Sequence, residues 1–213
     1  MSSDELMKIC EDKKKAWLRL IEVAYSDDTF SSLFRTAVDS WFAYHRTISA
    51  CGNPSVLKDF TADDLLTVRG NVNPRWFNRG DLTKKKNRQR GLRSFHAVSK
   101  KAQTVIDEQD NKPLIKEHVV PLVVLKQLLR DLGPKGPAVG GVLEHCYRVA
   151  LLTKEEAKQL DGKYKSEMPK ERWTQVTERL KLNGQTLEGC PSEDELFMRY
   201  SAVGIEFTLN PDF

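Results

Sequence analysis

The sequence predicts an α+β fold that is mainly helical, and three observations lead to this prediction. Apolar residues recur at spacings of three and four through most of the first fifty positions, which is the periodicity of amphipathic helices. Three stretches in the C-terminal half, 113–122, 147–152 and 204–209, instead resemble short strands. Hydrophobic residues make up 39% of the 213 positions, enough to bury a core, so disorder throughout is not expected.

Two amphipathic helices are predicted in the helical N-terminal region, 1–66. The capping residues Ser26-Asp27-Asp28 interrupt the helical spacing between positions 4 and 50, so a short turn should join the two helices. The chain then breaks at 51–54, where the sequence is Cys-Gly-Asn-Pro, and a third short helix is expected at 62–66. We expect the N-terminal helices either to bind a partner or to pair two copies of the chain as a homodimer.

The middle region, 67–106, is predicted to bind nucleic acid because its charge is one-sided. Between Arg69 and Lys101, eleven lysines and arginines stand against one acid, Asp81, although the whole chain has a formal net charge of only +4. Clustered cations of this kind neutralise phosphates and release condensed counterions. Glycines and a proline make the first part a poor helix former, so we expect a loop or extended arm there, followed by helix over 94–106.

The expected partner of this region is nucleic acid, in the first place double-stranded DNA. The side chains assigned to the phosphate backbone are Arg75, Arg79, Lys84, Lys85, Lys86, Arg88, Arg90 and Arg93. Trp76, Phe77 and Phe95 add aromatic surface that would stack on exposed bases in a single-stranded target, so DNA and RNA both stay open. The alternative is a solvated charged face without a partner.

The four cysteines and the apolar runs bear on the cellular compartment. The cysteines lie far apart and form no CxxC pair, so we interpret them as reduced thiols rather than as a zinc site or a disulfide framework. No apolar run reaches the roughly 18 residues of a membrane span, and the first residues lack the apolar core of a signal peptide. We therefore expect a soluble, cytoplasmic protein.

The C-terminal region, 107–213, is predicted to alternate strands and helices. A helix over 122–132 should end at Gly133-Pro134-Lys135-Gly136-Pro137, which is a strong stop signal. A buried strand at 147–152 leads into a helix that Thr153 opens and that reaches about Leu160. Two further helices are expected, at 173–180 and 193–200.

One short motif in this region has catalytic character. Residues 116–122, Lys-Glu-His-Val-Val-Pro-Leu, contain a carboxylate and an imidazole that are adjacent in sequence at the end of a predicted strand. A hard cation prefers carboxylate oxygen, and a neutral histidine accepts a proton from water near neutral pH. The motif resembles the first half of the HNH, or ββα-metal, endonuclease motif. The resemblance implies a small β-hairpin and helix element, with Glu117 as a ligand of Mg²⁺ or Mn²⁺ and His118 as the general base.

The second half of that family's motif is a strand followed by a helix, and residues 148–160 match it in pattern. Where related sequences often carry Thr-x-Glu-Glu-His, this chain has Ala157, so the implied imidazole ligand is absent. Glu156 is the substitute metal ligand from the adjacent position, and His145 is a second candidate. Thr153 and Glu156 also have the spacing of an ordinary capping box, which is the alternative interpretation of Glu156.

Three functions follow from these features. The first is a metal-dependent endonuclease, of a restriction or phage type, that hydrolyses phosphodiester bonds in DNA. The second is a non-catalytic DNA-binding or RNA-binding protein that uses the basic segment 69–101, and the third is a helical regulatory module. Glycine-rich phosphate loops and the Gly-x-Ser-x-Gly elbow are absent, so nucleotide-dependent enzymes and serine hydrolases have no support.

The basic segment generates a prediction about salt. Neutralising Lys84, Lys85 and Lys86 together should flatten the dependence of log affinity on log salt by about 2 to 3 units, since each lost phosphate contact removes roughly one. Titrations of duplex DNA at several salt concentrations measure this slope. An unchanged slope would exclude the three lysines as phosphate contacts.

Overall fold

A computed structural model describes residues 3–51, 95–110 and 112–210 of the chain. The chain divides into two compact units, Met1–Asp81 and Leu82–Phe213, and the division falls inside the predicted basic region. The short helix expected at 62–66 and most of the basic segment lie outside the described residues.

The first unit contains the two predicted amphipathic helices. They are α1, Ser3–Ser26, and α2, Phe34–Cys51. The expected turn between them is a 3-10 helix, Asp28–Leu33. The Asp27 side chain caps this helix, because it accepts a hydrogen bond from the backbone nitrogen of Thr29 at 2.8 Å. The two long helices pack against each other along their apolar faces, and the buried residues include Ile21, Ala24, Val38, Trp41 and Phe42.

The second unit is built around a four-stranded sheet with strand order β2-β3-β1-β6. Its strands are β1, Ala97–Ser99, β2, Leu114–His118, β3, Val149–Thr153, and β6, Phe207–Leu209. Strands β1 and β3 are parallel, whereas both outer pairs are antiparallel. All five residues of β3 are buried, as an apolar run in the interior of a sheet should be. The helix expected to begin at position 94 is therefore preceded by a short strand.

Among its described residues, the second unit also contains seven helices and a second, two-stranded sheet. In chain order, α3 to α9 are Lys100–Asp107, Leu122–Leu132, Pro137–Cys146, Lys154–Tyr164, Lys170–Arg179, Glu193–Leu196 and Met198–Ser201. Helix α4 ends as predicted, at a left-handed Gly133 with a φ of 59°. Helix α5 was not expected, because the proline at its first turn resembled a stop; a proline there fits a helix start equally well. The mainly helical α+β prediction is confirmed.

A two-stranded hairpin also went unpredicted. Strands β4, Lys181–Asn183, and β5, Thr186–Glu188, pair antiparallel across a tight turn. The turn begins with Gly184, whose φ of 61° is a conformation that glycine adopts without strain. Glycine at the first of two turn residues, here Gly184 before Gln185, is a known hairpin signal, but only three residues on each side form the strands.

An ion pair joins α7 to the start of α8. The Arg179 guanidinium donates to both carboxylate oxygens of Glu195, one of them at 2.7 Å. Glu195 also accepts from the backbone nitrogen of Ser192 at 2.8 Å, as the second half of a capping box. The hydrogen bond from Arg179, followed by the one from the Ser192 backbone, lowers the pKa of Glu195 from 4.5 to about 2.

Among the helices of the described ranges, none is both long enough and apolar enough to cross a membrane.

The pair between Arg179 and Glu195 predicts a stability difference that depends on pH. Because the folded pKa of Glu195 is depressed, its stabilisation is present above its ordinary pKa of 4.5 and is lost as the pH falls towards about 2. The pair is largely solvated, so Arg179→Met should lower the free energy of unfolding only slightly at neutral pH.

Urea unfolding at several pH values measures the effect. The gap between wild type and Arg179→Met should close as the pH falls from about 4.5 to about 2. Arg172→Met, at an exposed position of the same helix, is the matched control and should show no gap at any pH. A gap for Arg179→Met that stays constant with pH would contradict this assignment.

Candidate functional site

The strands β2 and β3 and the helix α6 form a unit with the order strand, strand, helix, which is called the ββα unit below. His118 lies opposite Val149 and Leu114 lies opposite Thr153, so the two strands run antiparallel. Helix α6 follows β3 without a gap and packs against both strands. This is the strand and helix order that the sequence resemblance implies. The strands are not a simple hairpin, however, because α4 and α5 are inserted between them.

Glu117 and His118 end strand β2, as the motif predicts, but both side chains are engaged. Glu117 accepts a hydrogen bond from Arg199 Nη2 at 2.7 Å, and its side chain retains 24% exposure while that of Arg199 retains none. His118 is buried, with 7% exposure, and its ring lies against that of Tyr147 with 5.6 Å between ring centroids.

Arg199, which the sequence did not single out, joins the end of β2 to the end of α6. Its Nε donates to the carbonyl of Val119 at 2.9 Å, and its Nη1 donates to the carbonyl of Tyr164 at 2.8 Å. Its Nη2 donates to the carbonyl of His118 as well as to Glu117. Tyr164 is the last residue of α6, where the helix dipole favours a cation. A lone arginine within the apolar stretch 196–200 was the available signal.

The ladder between β2 and β3 explains why the His118 carbonyl needs an outside donor. Val119 donates its backbone N–H to Arg148 O at 2.9 Å, and hydrogen-bonded pairs then recur every second residue. His118 belongs to the alternate set, so its carbonyl points away from β3 towards the open edge of the sheet. Arg199 satisfies that carbonyl, and the Tyr200 hydroxyl lies within hydrogen-bond distance of it at 3.4 Å. Burial raises the pKa of Tyr200, which therefore remains a neutral donor.

Glu156 lies at the other end of the ββα unit and completes a capping box. Its Oε2 accepts from the backbone nitrogen and the hydroxyl of Thr153, both at 3.0 Å, and from the hydroxyl of Ser99 at 2.6 Å. Ser99 in turn caps α3, because its Oγ accepts from the backbone nitrogen of Ala102 at 3.0 Å. The carboxylate is buried and holds the starts of α3 and α6 together. The capping alternative for Glu156 is confirmed.

The two predicted metal ligands are not brought together. Glu156 bonds Thr153, which faces Leu114, whereas Glu117 lies three residues further along β2, or about 10 Å away at roughly 3.3 Å per residue. A shared Mg²⁺ needs both oxygens at about 2.1 Å. A dication on Glu117 alone would lie beside the Arg199 guanidinium, which already contacts that carboxylate at 2.7 Å, and two positive charges so close repel each other.

The other described acids and histidines do not form a metal site either. Across residues 3–51, 95–110 and 112–210, no three histidine, cysteine, aspartate or glutamate side chains are grouped so that they could hold a metal ion. His145 is exposed near the end of α5, and Ala157 offers no ligand. The described residues therefore do not fit the Mg²⁺ or Mn²⁺ that the resemblance implies.

His96 is a second histidine on the same row of the sheet as His118, and the sequence did not single it out. Val149 donates its backbone N–H to His96 Nδ1 at 3.0 Å and accepts from the His96 backbone nitrogen at 2.9 Å. Val149 thus lies between the two histidines, with His118 opposite it on β2. Because Nδ1 is an acceptor here, the ring proton of a neutral His96 belongs on Nε2.

The side chains assigned to nucleic acid are divided between described and undescribed residues. The eight assigned arginines and lysines, from Arg75 to Arg93, lie outside the described residues, as do Trp76 and Phe77. Lys100 and Lys101 are exposed, and Lys100 forms an ion pair with Glu206. The expectation that Phe95 stacks on bases is wrong, because the residue is buried with 2% exposure and precedes β1 as part of the core.

Comparison of this chain with protein-family models, with curated proteins and with solved structures finds no match. The chemistry of the site is therefore inferred from its own residues: an internal guanidinium at one end of the ββα unit and an internal carboxylate at the other.

The Glu156 carboxylate predicts a large loss of stability on truncation. Glu156→Ala leaves the Ser99 hydroxyl and the Thr153 N–H without their buried acceptor, so we expect the free energy of unfolding to fall by about 2 to 4 kcal/mol. Glu155→Ala is the matched control, since Glu155 is exposed in the same helical turn, and it should change the value by less than about 0.5 kcal/mol. Urea denaturation measures both. Equal effects of the two substitutions would contradict the capping role.

Proposed function

We propose that this chain binds nucleic acid without cutting it, through the phosphate backbone and the basic segment 69–101. The observation that carries the proposal is the charge of that segment, eleven lysines and arginines against one acid. Charge this one-sided repels itself, and a polyanion offsets the repulsion while releasing its own counterions. Double-stranded DNA is the proposed target, with RNA as the alternative polyanion.

The contacts within the ββα unit support binding rather than hydrolysis. A general base must reach the proton that it removes, directly or through one water molecule. His118 retains 7% exposure and packs against Tyr147. The charge of Glu117 is already compensated by Arg199, and Glu156 is occupied by two helix starts. Each predicted catalytic side chain thus has a role in the fold.

A second candidate, an endonuclease of the ββα-metal type, is favoured by the order of strand, strand and helix. The antiparallel pair, the helix that follows it, and the Glu117-His118 pair at the end of β2 agree with what the resemblance implies. In this candidate His118 takes the proton from the attacking water. Because the described acids do not fit a divalent cation, no step of this candidate is assigned to one.

One set of measurements separates the two candidates. The purified full-length chain should bind duplex DNA equally well, within a factor of a few, in buffer with Mg²⁺ and in buffer with EDTA, because its contacts are cationic side chains. Plasmid DNA incubated with Mg²⁺ or Mn²⁺ should remain supercoiled. His118→Ala should leave the DNA affinity within a factor of a few, as should the matched control His145→Ala at an exposed position.

Nicking of the plasmid would replace the first candidate by the second, provided that His118→Ala slows it strongly. A general base contributes roughly 10² to 10⁴ to the rate, so cleavage should fall by that factor while affinity is retained. Nicking by His118→Ala at the wild-type rate would indicate a contaminating nuclease or another site. Absence of binding to duplex DNA, single-stranded DNA and RNA at low salt would refute both candidates.

A further inference from the structure

We infer that Arg199 is an internal cation that takes the place of a divalent metal ion at Glu117, the carboxylate that the resemblance assigns to the metal, so that this ββα unit binds no Mg²⁺ or Mn²⁺ there. The inference concerns the ββα unit alone and stands apart from the proposed nucleic-acid binding.

The position of the guanidinium is the first step. Its hydrogen bonds reach the carbonyls of His118 and Val119 at the end of β2 and the carbonyl of Tyr164 at the end of α6. It therefore lies between a strand end and the helix that follows the strand pair. Of the two ligand positions that the resemblance implies, the guanidinium contacts the one at Glu117, whereas position 157 lies near the start of α6.

The shell around the guanidinium is the second step. It consists of one carboxylate oxygen, from Glu117, three backbone carbonyl oxygens and the hydroxyl of Tyr200 at 3.2 Å. Carboxylate and carbonyl oxygens are the ligands that hard divalent cations prefer. Here the Arg199 guanidinium, a planar cation, occupies the same kind of shell. Its N–H donors point in fixed directions, and several carbonyls at different angles are suitable acceptors for them.

Burial is the third step. Arg199 has no exposed surface, and Mg²⁺ normally keeps several of its water molecules when it binds a protein. A hydrated dication cannot enter a shell that is already closed around a buried cation. The oxygen-rich pocket is thus supplied with its positive charge by the chain itself, from a residue that lies 82 positions after Glu117.

The test uses Mn²⁺, whose free form is counted by electron paramagnetic resonance, with the full chain and no nucleic acid. Wild type and Glu117→Gln should bind Mn²⁺ with dissociation constants that agree within about twofold, because an ion at the exposed part of the Glu117 carboxylate would lie beside the Arg199 guanidinium and be repelled by it. Arg199→Met removes the cation at similar side-chain length and should raise the Mn²⁺ affinity by about tenfold or more, since the repulsion is relieved. The double variant Arg199→Met/Glu117→Gln should lose that gain.

Arg179→Met is the matched control, because it removes an exposed arginine from an ion pair elsewhere and should not change Mn²⁺ binding. Mn²⁺ binding by the wild type that Glu117→Gln weakens tenfold or more would overturn the inference. So would a folded Arg199→Met that gains no affinity. If Arg199→Met does not fold, the comparison of wild type with Glu117→Gln decides the question alone. The result is independent of DNA binding, which the EDTA titrations measure separately.

Discussion

The fold of the second unit depends on the hydrogen bonds and the ion pair of the buried Arg199 guanidinium. Removing a charged group from water is costly, and the cost is offset only if the charge is paired and its donors are satisfied. Arg199 meets both conditions, with one carboxylate and three carbonyls as acceptors. Because those acceptors belong to β2, to the residue after β2 and to the end of α6, one side chain determines how the edge strand and the helix meet.

The ββα unit therefore has a charged group embedded at each end, of opposite sign. The guanidinium lies at the end of β2, and the Glu156 carboxylate lies where β1 and β3 give way to helices. Helix starts favour anions and helix ends favour cations, so both charges have the sign that α6 prefers at that end. A strand and helix order associated with metal chemistry is in this way stabilised by internal charges. This arrangement supports our proposal that nucleic acid contacts the basic segment rather than the ββα unit.

Residues close together in the sequence predicted most of the helices and strands. Pairings between distant residues could not be predicted in this way. The stop at Gly133 and the cap formed by Thr153 and Glu156 depend on residues a few positions apart, so the sequence pattern contains them. Helix α5 was missed because Pro137 suits a helix start as well as a stop, and strand β1 because three residues carry too little periodicity.

The candidate site was predicted only in part for a related reason. Strand β2, with Glu117 and His118 at its end, follows from a seven-residue motif. The pairing of Glu117 with Arg199 joins residues 82 positions apart and leaves no local trace. Phe95 is buried, and its backbone carbonyl accepts a hydrogen bond from Asn210, which is also distant in sequence. Charge and motif identify candidates, whereas the tertiary partner decides which of them remain available.

The distribution of these bonds along the chain also has a kinetic consequence. The hydrogen bonds between Ser99 and Glu156, Arg199 and Glu117, and Asn210 and Phe95 span 57, 82 and 115 residues. Contacts so distant along the chain require large loops to close before they stabilise anything, which slows folding compared with a helical bundle of the same size. Strand β1, held between β3 and β6, cannot reach its final pairing until residues from both distant segments have arrived. The second unit should therefore form more slowly than the contact between α1 and α2, which are adjacent in sequence.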